Sequence, residues 1–264
     1  NLYLHDNQLS NLPEDLFQGW ANLSELWMQT NNLTTLSPGV FRNLGKLTQL
    51  VLYDNQLSIL HVDLFRGLDN LLDLKVHTND LTTLDTGVFK DLRKLTRLSL
   101  YDNQLSNLHE DIFKGLFNLS DLWLSTNNLS TISPGVFRDL VNLKTLFLRE
   151  NKLVSSDLQN VNSCIKLQLL TLSSNKLSHI DIHSFSELNH LVVLELTDNL
   201  ITVIEPYAFN NMTNLILINL VRNALSNISP ESFTGLSNTT TLAVDKPGIC
   251  CMVDSLLQGP LCLP

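Results

Sequence analysis

The chain has 264 residues, 44% of them hydrophobic, enough for a sizeable buried core. Its formal charge of −9 and pI of about 5.1 argue against nucleic acid or an anionic membrane as partner, because both are met by basic patches. A basic or neutral partner suits it better. No apolar run reaches the ~18 residues that a membrane span needs, and no secretory leader is visible. Asn1 falls inside a pattern already under way, so the chain reads as a mature or trimmed fragment.

Only 7% of the residues are aromatic, while Leu and Asn are overused, which points to a repeat. The phrase LxLxxNxL sets its register. Its Asn stands at Asn7, Asn31, Asn55, Asn79, Asn103, Asn127, Asn151, Asn175, Asn199 and Asn223, always 24 residues apart. Ten residues later comes Phe17, Phe41, Phe65, Phe89, Phe113, Phe137, Phe185, Phe209 or Phe233. This pattern resembles the leucine-rich repeat. The resemblance implies an α/β solenoid: a horseshoe with a parallel concave sheet, about ten 24-residue turns and a C-terminal half-turn at Leu242–Val244.

Each turn is predicted to supply one short strand, for example Leu98-Ser99-Leu100, with Leu and Phe inside. The repeated Asn is expected to turn inward and bond backbone groups left unpaired by the bend. Over residues 1–150 a 48-residue period lies on the shorter one, alternating LYDNQLS with TNxLxTxxxGVF. The turn after Asn151 departs from this, with Val161 in place of Phe and Cys164 in place of Leu or Met. Cys164 reads as an inert buried thiol, and its turn as a seam in the coil.

Two columns of strand residues are predicted to face solvent. Four residues before each Asn stand Tyr3, Trp27, Val51, Lys75, Ser99, Trp123, Phe147, Thr171, Glu195 and Asn219. Two before it stand His5, Gln29, Tyr53, His77, Tyr101, Ser125, Arg149, Ser173, Thr197 and Val221. β-propensity explains an occasional aromatic there. It does not explain why two of the three Trp and three of the four Tyr collect in these columns. Amphipathic aromatics favour interaction surfaces. The candidate ligand-binding residues are Trp27, Tyr53, His77, Tyr101, Trp123, Phe147 and Arg149. An acidic edge, Asp6, Asp54, Asp102, Glu150 and Asp198, directly precedes the Asn column. Solvation accounts for it, and a basic partner is the sharper reading.

No constellation points to an enzyme or to a cofactor. His179-Ile-Asp181-Ile-His183 alternates like a metal-binding strand but has no further ligand nearby in sequence. HExxH, GxSxG, GxGxxG and P-loop patterns are absent. Seven glycosylation sequons start at Asn22, Asn32, Asn118, Asn128, Asn211, Asn227 and Asn238. Composition alone would give roughly five, so the number supports secretion only weakly.

Residues 245–264 break the pattern. Pro247 stands where the next Asn would be, and Cys250, Cys251 and Cys262 cluster after it. Adjacent cysteines rarely bond to each other, because the short ring violates disulfide geometry. The segment is expected to be a disulfide-bonded cap or the start of a hinge, in an oxidising compartment. Cys262 can serve only one of the pair, so another partner is expected beyond Pro264.

Gly248-Ile-Cys-Cys-Met252 with Cys262, after a solenoid of 24-residue turns, resembles the ectodomain of leucine-rich-repeat-containing G protein-coupled receptors of the relaxin and glycoprotein-hormone type and their invertebrate relatives. That resemblance implies an extracellular solenoid that binds a peptide or protein hormone on its concave face. It further implies a cysteine segment leading to a membrane domain absent from this chain. The alternating GVF and LYDNQL phrases also resemble the secreted immune receptors of jawless vertebrates, whose cysteine cap is spaced differently. The alternative function is therefore a secreted, matrix or immune-type binding protein without a signalling domain.

Overall fold

The computed structural model describes residues 1–245 and the backbone of residues 262–263. Among the described residues twelve short parallel strands form one sheet. In order they are β1 (Leu2–Tyr3), β2 (Glu25–Trp27), β3 (Gln49–Val51), β4 (Asp73–Lys75), β5 (Arg97–Ser99), β6 (Asp121–Trp123), β7 (Thr145–Phe147), β8 (Leu169–Thr171), β10 (Val193–Glu195), β12 (Leu217–Asn219), β14 (Thr241–Ala243) and β15 (Cys262–Leu263). A second sheet of three two-residue strands lies on the return side of the late turns: β9 (His179–Ile180), β11 (Val203–Ile204) and β13 (Asn227–Ile228). The solenoid read from the sequence is therefore the observed fold. Apart from these three strands, its return segments among the described residues are bends, turns and two 3-10 helices, Ser155–Val161 and Pro230–Phe233.

The core follows the Leu columns. In the fifth turn Leu95, Leu98, Leu100, Leu105, Leu108, Ile112, Phe113 and Leu116 are all fully buried. No turn can bury these side chains alone, so stability is a sum over neighbours. The Phe rings stack along the coil with centroids 6.0–6.4 Å apart in the pairs Phe17–Phe41, Phe65–Phe89, Phe89–Phe113, Phe113–Phe137 and Phe209–Phe233. Val161 interrupts this spine, and the seam expected there is the first 3-10 helix. Cys164 is fully buried beneath it, and burial pushes its thiol up to about 12, so it is neutral and unreactive.

The Asn ladder forms as expected. Asn103 Nδ2 donates to the carbonyls of Val76, Leu100 and Tyr101 at 3.2, 3.1 and 3.3 Å. Its Oδ1 accepts the Leu81 N–H at 3.1 Å. Two of these four bonds reach the preceding turn, and the same set recurs from Asn31 to Asn199.

The residue before each ladder Asn has a left-handed backbone, with φ between 52° and 58° at ten positions from Asp6 to Arg222. Asp tolerates this conformation better than most residues because its short side chain bonds locally. The conformation thus suits the four Asp of the acidic edge, Asp6, Asp54, Asp102 and Asp198. Thr30, Thr78 and Thr126 occupy the same position, where a β-branched residue is strained. The neighbouring ladder bonds hold it there.

β15 pairs in parallel with β14, Leu242 opposite Cys262. The end of the cysteine segment therefore adds a strand to the solenoid sheet. Cys250 and Cys251, and the side chain of Cys262, lie outside the described residues, and so do the disulfides expected of them.

Candidate functional site

Three columns face the concave side, one more than the sequence reading gave. The strand of the fifth turn is Arg97–Ser99 and not Leu98–Leu100. Its inward residue is Leu98, so alternation places Arg97 outside as well as Ser99. The added column runs Glu25, Gln49, Asp73, Arg97, Asp121. Extending the alternation one step back from the first Leu of the phrase would have found it.

The predicted aromatics fall into three groups. His77 lies between Tyr53 and Tyr101, with ring centroids 4.4 and 4.1 Å away and planes within 12° of parallel. Their 24-residue spacing puts them at one register position of adjacent turns, where flat rings stack. Burial, helped by the Lys75 ammonium, pulls His77 down to about 4, against the opposing pull of Asp102 and Asp54. The imidazole is therefore neutral at pH 7. Burial, then Asp102 and Tyr53, raise the Tyr101 hydroxyl above its ordinary value.

Trp123 stacks on Phe147 at 5.7 Å and 5°. Arg149 pairs with the adjacent Glu150, 2.8 Å away. Trp27 stands apart at the N-terminal end, edge-on to Tyr3 at 5.8 Å. Its buried indole N–H has no hydrogen-bond partner among the described residues.

Between the first two groups the surface dips into a hollow of about 590 Å³, bounded by Tyr53, His77, Tyr101 and Trp123. Ser99 makes the room: in register it stands between Lys75 and Trp123, and its side chain is short. Asp73 forms the floor, its side chain 5% exposed. Its Oδ2 takes hydrogen bonds from Arg97 Nη2 at 3.1 Å and Gln49 Nε2 at 3.2 Å, with Lys75 Nζ at 3.9 Å. These are cross-strand neighbours, Gln49 opposite Asp73 and Asp73 opposite Arg97.

Beyond Arg149 the face changes. Thr171, Ser173, Glu195, Thr197, Asn219 and Val221 replace the aromatics. Burial raises the Glu195 carboxyl. Asp198 is held by a two-pronged pair with the Arg222 guanidinium, which lowers its carboxyl.

The other candidates lie elsewhere. His179, Asp181 and His183 sit on the return side, where Asp181 accepts from Ser184 Oγ and the His183 N–H. Among the described residues no group of three or more His, Cys, Asp or Glu is placed to hold a metal, and no helix is long and apolar enough to cross a membrane. Asn22, Asn32, Asn118, Asn211 and Asn238 are exposed and Asn128 is half-buried, while the Asn227 side chain lies outside the described part. By register none of the seven sequons stands in the concave columns.

A family model described as Leucine rich repeat matches residues 1–57, 46–105, 93–153, 142–201 and 189–246. The chain belongs to the leucine-rich repeat family. Several solved leucine-rich repeat structures resemble it. FLRT2, in an octameric complex with Latrophilin 3 and Unc5D, is 26% identical with a TM-score of 0.81, over 92% of this chain and 74% of that one. Drosophila Toll, in its complex with Spatzle, is 23% identical with a TM-score of 0.66, over 91% of this chain and 40% of that one. TLR13, in complex with single-stranded RNA, is 24% identical with a TM-score of 0.76, over 89% and 38%. At these identities Toll and TLR13 speak to the fold alone. The TLR13 complex also means that a leucine-rich repeat solenoid does not by itself exclude nucleic acid.

Proposed function

We propose that this chain is an extracellular recognition module that binds a peptide or protein on the N-terminal two-thirds of its concave face. One observation carries the reading: Tyr53, His77, Tyr101, Trp123 and Phe147 stack in two rows on the outward side of the sheet, around a hollow. Such rows offer large, rigid contact area at little entropic cost. The absence of sequons from the concave columns keeps that face clear of glycans. The FLRT2 relative, seen with two protein partners, supports a polypeptide ligand. The net charge of −9 weighs against nucleic acid.

The finer proposal is the ectodomain of a leucine-rich-repeat-containing G protein-coupled receptor. It rests on Gly248-Ile-Cys-Cys-Met252 with Cys262. Membrane attachment would then come from a domain beyond this chain. The second reading is a secreted, matrix or immune-type binding protein, favoured by the alternating 48-residue phrase.

A disulfide map by mass spectrometry, on a chain extended past Pro264 and produced by secretion, tests the proposal. Separate partners for Cys250 and Cys251 are expected, one of them Cys262. Free thiols at all three would overturn the extracellular reading. The coding sequence downstream separates the finer alternatives: seven apolar spans support the receptor, and a stop codon supports the secreted protein.

A further inference from the structure

The hollow on the concave face differs in charge from the chain around it. The protein carries −9 overall, yet the hollow is lined by two cations, Lys75 and Arg97, and one carboxylate, Asp73. Depth separates the signs. The Asp73 side chain is 5% exposed, while Lys75 and Arg97 are 34% and 54% exposed. The negative charge lies on the floor and the positive charges face the opening.

Four further titratable groups line the hollow or stand beside it. His77 is neutral at pH 7. Asp121, beside Arg97 in the next strand, is bonded to the Ser120 and Thr145 hydroxyls. Asp54 and Asp102 stand at the bend, outside the hollow's lining. Tyr53, Ser99, Tyr101 and Trp123 complete the wall, and each carries an O–H or N–H donor.

We propose that this hollow receives a carboxylate side chain, Asp or Glu, from the polypeptide ligand, with Lys75 and Arg97 as its counter-ions. The proposal rests on the concave face being the binding face, and it specifies the chemistry read there. Asp73 stands on the floor at 5% exposure, below the two cationic heads. It holds the two cationic heads side by side before binding, so less side-chain freedom is lost when an anion arrives. One of the two positive charges is balanced by Asp73. The net charge of the lining is thus +1, which matches a carboxylate and falls short of a phosphate dianion. Trp123 and Tyr101 cover the residues flanking the acidic one, so the preferred segment is an acidic residue beside an aromatic or aliphatic one.

The test uses a phage-displayed random peptide library selected on the immobilised chain. Winners are resynthesised and titrated by fluorescence anisotropy, each beside a twin in which the acidic residue is replaced by its amide. Winners are expected to share an Asp or Glu next to an apolar residue. The amide twin should bind about ten- to a hundred-fold more weakly, the range of a charge-assisted hydrogen bond. Lys75→Gln should cause a comparable drop, and on that variant the twin should lose little more. Because the twin alters the peptide alone, this arm holds even if Arg97→Gln, which removes a partner from buried Asp73, unfolds the protein. Winners without an acidic consensus, winners sharing Lys or Arg, or twins that bind equally would overturn the proposal. The underlying reading fails differently: winners that bind Trp123→Ala as tightly as the wild type would show that the concave face is not used.

Discussion

The two ends of the concave face share a scaffold and differ in what they display. From Tyr3 to Arg149 the outward columns carry stacked aromatics and a charged hollow. From Leu169 to Val221 they carry the small polar residues Thr171, Ser173, Thr197 and Asn219, an aliphatic run of Leu169, Val193 and Leu217, and a carboxylate lifted by burial. Beneath both run the same Asn bonds, from Asn31 to Asn199, and the same Leu columns. Fold and display therefore use different residues of one phrase. Inward positions repeat because every turn meets the same neighbours. Outward positions are free to vary because the ladder makes no demand on them.

The largest expected effect sets the two ends against each other. Trp123→Ala should weaken binding of a concave-face ligand by about 2–4 kcal/mol, as for a central aromatic anchor. Thr197→Ala, at the other end, should change it by less than about 0.5 kcal/mol. Titration of both variants with one ligand checks this, and equal effects would break the division. Trp123 also stacks on Phe147, so about 1 kcal/mol of stability should go with it.

A second experiment should find no division at all. Asn103→Ala and Asn199→Ala should each destabilise the fold by about 1–3 kcal/mol, because each leaves several backbone groups unpaired. Urea denaturation gives both values. A marked difference between them would mean that the scaffold is not uniform.

The smallest effect concerns His77. Its folded value of about 4 lies below the ordinary 6.5, so between those limits the unfolded chain binds the extra proton. Stability should therefore fall as pH drops from 6.5 towards 4 and change no further on this account below that. The expected loss is about 1 kcal/mol, less than full linkage because one edge of the ring meets solvent. His77→Phe should remove this component, as read from thermal melts across that range. At the other end the raised Glu195 carboxyl acts in the opposite sense, adding stability as pH falls.

The fold was legible because its cause is periodic. Ten Asn and nine Phe at fixed spacing name the inward positions directly. The site was legible only in part. Tyr53, His77 and Tyr101 could be paired from their register, and Trp123 with Phe147 likewise. Asp73 and Arg97 could not be seen while the strand was placed one residue late, because their column precedes the first Leu of the phrase. Arg149 shows a different gap. Register put it near Phe147, and its long side chain pairs with the adjacent Glu150, which sequence spacing could not show because it does not choose among rotamers. The acidic edge was read as charge, and the left-handed backbone at that position also favours Asp.

The ladder bonds have a direction. Asn103 reaches back to Val76 and Leu81 in the turn already made, and Asn199 reaches back to Leu172 and Leu177. A ribosome delivers the chain in that same order, and domains generally fold from the N-terminal end during synthesis. Each emerging coil therefore finds its docking groups complete and waiting, and its Asn clicks onto them like a pawl on a ratchet. The sheet bonds point the other way, Leu100 N–H to Trp123 and Asp102 N–H to Ser125 in the turn still to come, so each coil is latched by its own Asn first and by its successor's carbonyls second.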